Sequence, residues 1–140
     1  SETKKMVSLV LGVAILLSGV FFGYEYITEP KIVGGVLSKK IDDKGNPVHV
    51  TDTFLPEDTV YFSAKRNRVW IKKAQIVWYK GKIEKRNRFL VEEAVPINKA
   101  GYFSSKLSVP EGLEEGHYGV RIYVDGKNIM ETQAEFDVKK

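Results

Sequence analysis

The chain has 140 residues with 22 basic and 18 acidic side chains, a net charge of +4, no cysteine and two histidines. Without cysteine there is no disulfide, no thiolate metal site and no cysteine nucleophile, so any domain outside the reducing cytoplasm must hold itself by packing, as in bacterial or archaeal envelopes. Charged residues make up 29% of the chain, mostly Lys and Glu, a usage that leans towards thermophiles.

Residues 1–5 form a short polar tail. Met6 to Tyr24, MVSLVLGVAILLSGVFFGY, then runs 19 residues without a charge. As a helix it would extend roughly 28 Å, close to the ~30 Å hydrocarbon core of a bilayer. A cleaved signal peptide needs small residues before its cut, whereas Ser18 with Val20, or Phe21 with Gly23, offers a β-branched or an aromatic residue there. A buried core helix would leave some polar positions on its face. The expectation is therefore an uncleaved, single-pass signal-anchor over 6–24. Lys4 and Lys5 put its N-terminus in the cytoplasm by the positive-inside rule. The rest of the chain is then periplasmic or extracellular. Ser8, Gly12, Gly19 and Gly23 fall on one stripe of that helix, and Gly19 with Gly23 makes a GxxxG pair that admits close backbone approach. The stripe is expected to pack against another membrane helix, in a homo-oligomer or a larger complex. The plainer alternative is that glycine is common in membrane helices.

Residues 25–30 form a connector that Pro30 closes, because its missing N–H and the restraint on Glu29 oppose a continuing helix. From Lys31 the apolar period becomes two, and turn residues recur every 8–12 positions. Strands are predicted at Ile32–Ile41 with a bulge at Gly34-Gly35, at Val48–Val50, at Thr59–Ala64, and at Lys73–Lys80 with Ala74, Ile76 and Trp78 on one face. Further strands are predicted at Arg88–Val95, at Tyr102–Val109 with Phe103, Leu107 and Val109 inward, and at Tyr118–Val124. A type I′ turn at Asp125-Gly126 leads to a last strand burying Ala134, Phe136 and Val138. Seven or eight short antiparallel strands over 31–140 describe an all-β sandwich.

The segment Thr59–Val138 resembles an immunoglobulin-like or fibronectin type III-like domain of the kind common in bacterial envelope proteins. The likeness rests on Trp78, placed as the core Trp of the third strand, and on Tyr118, which opens GHYGVRIYVDG and is similar to a tyrosine corner. It covers roughly 80 residues and lacks the cysteine pair of antibody-type domains. Being architectural, it implies a fold and no activity.

Catalytic, cofactor and metal sites are not expected. His49 and His117 are far apart with no ligand-like spacing around them. Adjacent Glu92-Glu93 on a strand point to opposite faces, and Asp42, Asp43 and Asn46 do not follow a calcium-loop pattern. Charge is more informative. Ten Lys and Arg stand against Glu84 alone between Tyr61 and Arg88, a local +9. Pairing Ala74–Tyr79 with Ile83–Arg88 across a turn at Lys80–Lys82 brings Arg88 beside Ala74. That register predicts one basic pole of Lys65, Arg66, Arg68, Lys72, Lys73, Lys85, Arg86 and Arg88, suited to an acidic protein, anionic lipid or cell-wall polymer. The same face read plainly is a solubilising one. Nucleic acid is not expected, since stacking aromatics are not interleaved with these charges. Trp70, Val77 and Tyr79 are either exposed together on one sheet or covered by a loop. The functional expectation is a non-catalytic binding or structural module, an accessory subunit of an envelope membrane complex. The alternative is a subunit of a surface filament or adhesin joined by strand addition.

Overall fold

The computed structural model describes residues 30–140; the expected anchor and its Ser8, Gly12, Gly19 and Gly23 stripe lie outside them. The described chain is all-β apart from one short 3₁₀ turn. Its strands are β1 (Ile32–Ile41), β2 (Pro47–Val50), β3 (Thr53–Phe54), β4 (Val60–Arg66), β5 (Lys73–Lys80), β6 (Arg88–Pro96), β7 (Tyr102–Leu107), β8 (Gly116–Val124) and β9 (Met130–Val138). They form two sheets, ordered β2-β1-β4-β7 and β3-β9-β8-β5-β6. All pairings are antiparallel except β3 with β9.

The period-2 alternation sets which side chains meet between the sheets. Val60, Phe62, Ala64, Phe103 and Leu107 come from one sheet, and Ala74, Ile76, Trp78, Tyr118, Val120, Ile122 and Phe136 from the other, all buried. Phe136 is the centre of an aromatic cluster. It stacks on Tyr118 at 5.2 Å and 10°, and meets Trp78 and Phe54 edge to face at 6.1 and 5.5 Å. Trp78 carries a buried N–H that needs an acceptor. Its Nε1 donates to Ser105 Oγ at 2.8 Å, and Ser105 Oγ donates to Glu92 Oε1 at 2.6 Å. This chain ties β5, β7 and β6 together where the sheets adjoin.

The bulge expected in β1 is present, with Gly34 at φ 64 and a register shift between Val33 and Val36. The β1–β2 hairpin does not project into solvent. Near its base Lys39 pairs with Asp58 at 3.3 Å, while at its tip the Gly45 carbonyl accepts from Asn98 Nδ2 at 3.0 Å. Asp58 precedes β4, and Asn98 lies in the turn whose Gly101 carbonyl accepts from Arg66 at the end of β4. The hairpin thus turns back along the outer side of the four-stranded sheet. Full burial of the outward-facing Ser63 fits that cover.

Three sequence expectations are corrected. Val109 lies beyond β7 and is exposed. The β8–β9 turn has positive φ at Gly126 and not at Asp125, so it is not type I′. Most consequential, Arg88 lies opposite Tyr79, and Val95 is the residue opposite Ala74. Residues 81–87 do not form a tight turn feeding straight into the next strand. They loop over the outer face of β5 and β8, ending in the 3₁₀ turn Lys85–Asn87. Ile83 packs there with Val77, Tyr79 and Tyr123 as a second small core. Gly119 makes room for it: a Cβ at that position would stand 2.4 Å from Ile83 Cγ1. Val77 and Tyr79 are therefore covered by a loop, whereas Trp70 is exposed.

Candidate interaction surface

The register splits the expected basic pole. Lys65, Arg66, Arg68, Lys72 and Lys73 sit at the end where β4 finishes and β5 begins, and Lys85, Arg86 and Arg88 sit at the other. Six residue steps of β5, from Lys73 to Tyr79, separate them by about 20 Å. The distant group is largely engaged. Arg86 Nε pairs with Glu84 at 2.7 Å, and Arg88 stands opposite Tyr79, whose hydroxyl favours its charged form. Burial, with the Tyr123 hydroxyl alongside, pushes the Tyr79 phenol above its usual range. The neighbouring Lys80 is paired to Glu114.

The near group belongs to a different kind of surface. The described chain enters there. The Asn67 backbone N–H donates to the Lys31 carbonyl and the Asn67 side chain to the Pro30 carbonyl, both at 2.8 Å. The Lys31 N–H donates to Glu131 Oε2 at 2.9 Å, which ties the entry point to the start of β9. The Lys73 carbonyl accepts from Asp125 N, so the β8–β9 turn lies beside the start of β5. Arg66 Nη1 reaches the Val69 carbonyl at 3.3 Å. Arg68 is buried, its Nη1 on the Asn67 carbonyl at 2.8 Å. Lys65 lies over the Tyr102 ring at 5.9 Å.

Two turns at this end expose large apolar side chains. Val69 is 74% and Trp70 52% exposed in the β4–β5 connection, and Ile129 is 72% exposed in the β8–β9 turn. Lys31, Arg66, Lys72, Lys73 and Lys127 belong to the entry point and to these two turns or their flanks, as do the acidic Asp125 and Glu131. The sequence singled out Arg66, Lys72 and Lys73 and left Trp70 open, but it missed Lys31 and Lys127 among the cations, and it missed Val69 and Ile129. Val69 and Ile129 stand in connections between strands, where an apolar side chain that finds no place in the core faces water or a partner, whereas Ile71, in the same β4–β5 connection, does reach the core.

His117 is not a loop residue. It instead lies on β8, its Nδ1 at 2.9 Å from Asp137 and its Nε2 at 3.2 Å from Glu135, both on β9. The two carboxylates approach opposite nitrogens and do not converge on one point, and among the described residues no cluster is arranged to hold a metal ion. The Asp137 and Glu135 hydrogen bonds raise the His117 pKa above its ordinary 6.5. A raised folded-state pKa means that the stabilisation is complete below about pH 6.5 and is lost as pH rises through the raised value. With 43% of the side chain exposed, solvent screening keeps the effect below about 1 kcal/mol. The melting temperature of the wild type is expected to fall slightly between about pH 6 and pH 9, and His117→Gln to flatten that slope. Thermal melts of both chains across the range, in one buffer series, check it.

No family model matches the sequence, and no curated protein is significantly similar to it. Among solved structures, the chain is similar to the PmoD soluble domain from Methylocystis sp. ATCC 49242 (Rockwell), with 12% identity, a TM-score of 0.47, and coverage of 77% of this chain and 90% of that one. It is also similar to Pseudomonas fluorescens alkylpurine DNA glycosylase AlkC bound to DNA containing an abasic site analog. There identity is 10% and the TM-score 0.41, covering 80% of this chain and 31% of that one. At these values neither likeness bears on function.

Proposed function

We propose that this chain is a non-catalytic, membrane-anchored module, an accessory subunit of an envelope membrane complex, with residues 6–24 in the bilayer and an immunoglobulin-like sandwich outside the cytoplasm. The observation carrying this reading is the place where the described chain enters the fold. Lys31 is pinned at the end that combines cations with exposed Val69, Trp70 and Ile129, and the apolar run lies only a few residues before it in sequence. The immunoglobulin-like assignment is supported by β1-β4-β7 facing β9-β8-β5-β6, by the buried Trp78, and by Tyr118. The Tyr118 hydroxyl donates to the Glu114 carbonyl at 2.7 Å, the backbone bond of a tyrosine corner. Assembly by strand addition has less support. Edge strand β6 carries a bulge at Ala94 (φ 55) and ends on Pro96, and β2 and β3 are four and two residues long, all features that blunt an edge.

Gentle detergent extraction of native membranes, with sizing of the particle and mass identification of its companions, tests the reading. The expected result is a carbonate-resistant chain in a discrete particle of fixed stoichiometry, from which Gly19→Leu with Gly23→Leu releases it. A chain found free of membranes, or extracted only as a monomer, overturns it.

A further inference from the structure

We propose that the Lys31 end of the sandwich rests on the lipid bilayer, with Trp70, Val69 and Ile129 entering the headgroup–acyl boundary and Lys31, Arg66, Lys72, Lys73 and Lys127 meeting anionic headgroups. This deepens the function proposed above and rests on its anchor.

Reach is the first support. Seven residue steps separate Tyr24 from Lys31, so the entry point of the fold stands at most about 25 Å from the end of the apolar run, even with the chain fully extended. Lys31 is not a loose lead into the domain. The bonds to Asn67 and Glu131 fix it beside the β4–β5 connection and the start of β9, so whatever brings Lys31 to the membrane brings the two apolar turns with it.

The chemistry of the patch is the second support. Trp has an apolar body and one N–H, the combination that favours the interfacial belt of a bilayer. Val69 and Ile129 add aliphatic area that water does not reward. The long Lys stems lie along such a boundary with their ammonium groups in the headgroup layer. A negatively charged leaflet attracts these cations only within about a Debye length, ~8 Å at physiological salt, which suits a rim close to the surface. The acidic groups nearby are mostly turned inward to backbone donors. Glu131 accepts from the Lys31 N–H, and Asp42, in the hairpin tip, accepts from the backbone of Lys44 and Asn46. The backbone bond from Asn46 leads the causes that hold its carboxyl below the usual range. Asp43, exposed in the same hairpin tip, and Asp125 are the acidic groups left at the rim.

The two tryptophans make the test specific. Trp78 is fully buried and lies five residues from Lys73 along β5, roughly 16 Å further from the proposed surface, so Trp70 alone reports contact. The full chain is reconstituted into vesicles of phosphatidylcholine and phosphatidylglycerol, with and without bromine on the acyl chains. Brominated lipid is expected to quench an emission component that is absent from Trp70→Phe, and that component should be shielded from iodide. Lys72→Ser with Lys73→Ser should lower the quenching in phosphatidylglycerol vesicles to the level found in pure phosphatidylcholine. The docking proposal fails if the chain stays with carbonate-washed vesicles while Trp70 remains open to iodide and unquenched by bromine. It fails equally if Trp70 is shielded from both quenchers, since a second copy of the chain then covers the patch. A chain that washes off the vesicles overturns the anchor itself, a different result from either.

Discussion

Phe136→Ala is expected to destabilise the domain by about 3–5 kcal/mol, the range for deleting a fully buried aromatic side chain. The site has little scope to collapse. Phe136 is 1% exposed, stacks on Tyr118 and meets Trp78 and Phe54 edge to face. Each such pair adds about 0.5–1.5 kcal/mol beyond its buried area. Those three rings come from three strands, so no single main-chain shift closes the gap. For a domain of this size the loss corresponds to a fall of roughly 10–25 °C in melting temperature. Phe89→Ala is the matched control. Phe89 also meets Tyr118 edge to face, at 6.2 Å, but is 44% exposed, and its removal should cost well under half as much. Urea unfolding of the two variants measures the difference. Equal losses would show that the aromatic cluster is not the centre of the fold.

Gly119→Ala is expected to destabilise by about 1–3 kcal/mol, from overpacking and not from backbone strain. Gly119 has no positive φ to preserve; what it supplies is space. The added carbon would meet Ile83 Cγ1 at 2.4 Å and Cδ1 at 2.8 Å. The loop over 81–87 would have to lift from the sheet and uncover Val77, Tyr79 and Tyr123. The cause is tested by coupling. Ile83→Ala vacates the same volume, so the double variant should be less destabilised than the sum of the singles, by about 0.5–3 kcal/mol. Strict additivity would assign the cost of Gly119→Ala to something other than Ile83.

Much of the fold was legible because one face of each strand is buried and the other is not. Alternation put Ala74, Ile76 and Trp78 on one face and turned Phe103, Leu107, Phe136 and Val138 inward, and all seven are buried. That signal says nothing about how far a connection travels before its next strand begins. The Lys80–Arg88 segment shows the consequence. It reads as a turn and a strand, yet Ile83 is drawn onto the outer face of β5 and β8, which delays β6 and moves Arg88 from the Ala74 end to the Tyr79 end. The eight-residue basic pole is split for that reason, and one of its members, Arg68, is buried. β3 was missed because two residues carry no period, and its pairing with β9 is parallel and distant in sequence. The ion pairs of His117 were illegible for a related reason. Asp137 and Glu135 come beside it only through the β8–β9 register. The candidate surface was half legible: Arg66, Lys72 and Lys73 follow from the local charge excess, while the places of Lys31 and Lys127 and the exposure of Val69 and Ile129 depend on an entry point and two turns brought together only in the folded chain.

Lys31 and Val138 lie at opposite ends of the sandwich, since β1 begins opposite Arg66 and β9 finishes opposite Gly116. A pull between these two points runs along the strands. Antiparallel ladder bonds stand perpendicular to their strands, so tension loads the β1–β4 and β8–β9 ladders in shear, many bonds at once, instead of peeling them one by one. The hairpin tip held by Asn98 adds a fastening near the point where the load enters. A module built this way holds its two ends a fixed distance apart and resists being drawn out along that line, which is the mechanical behaviour of a strut.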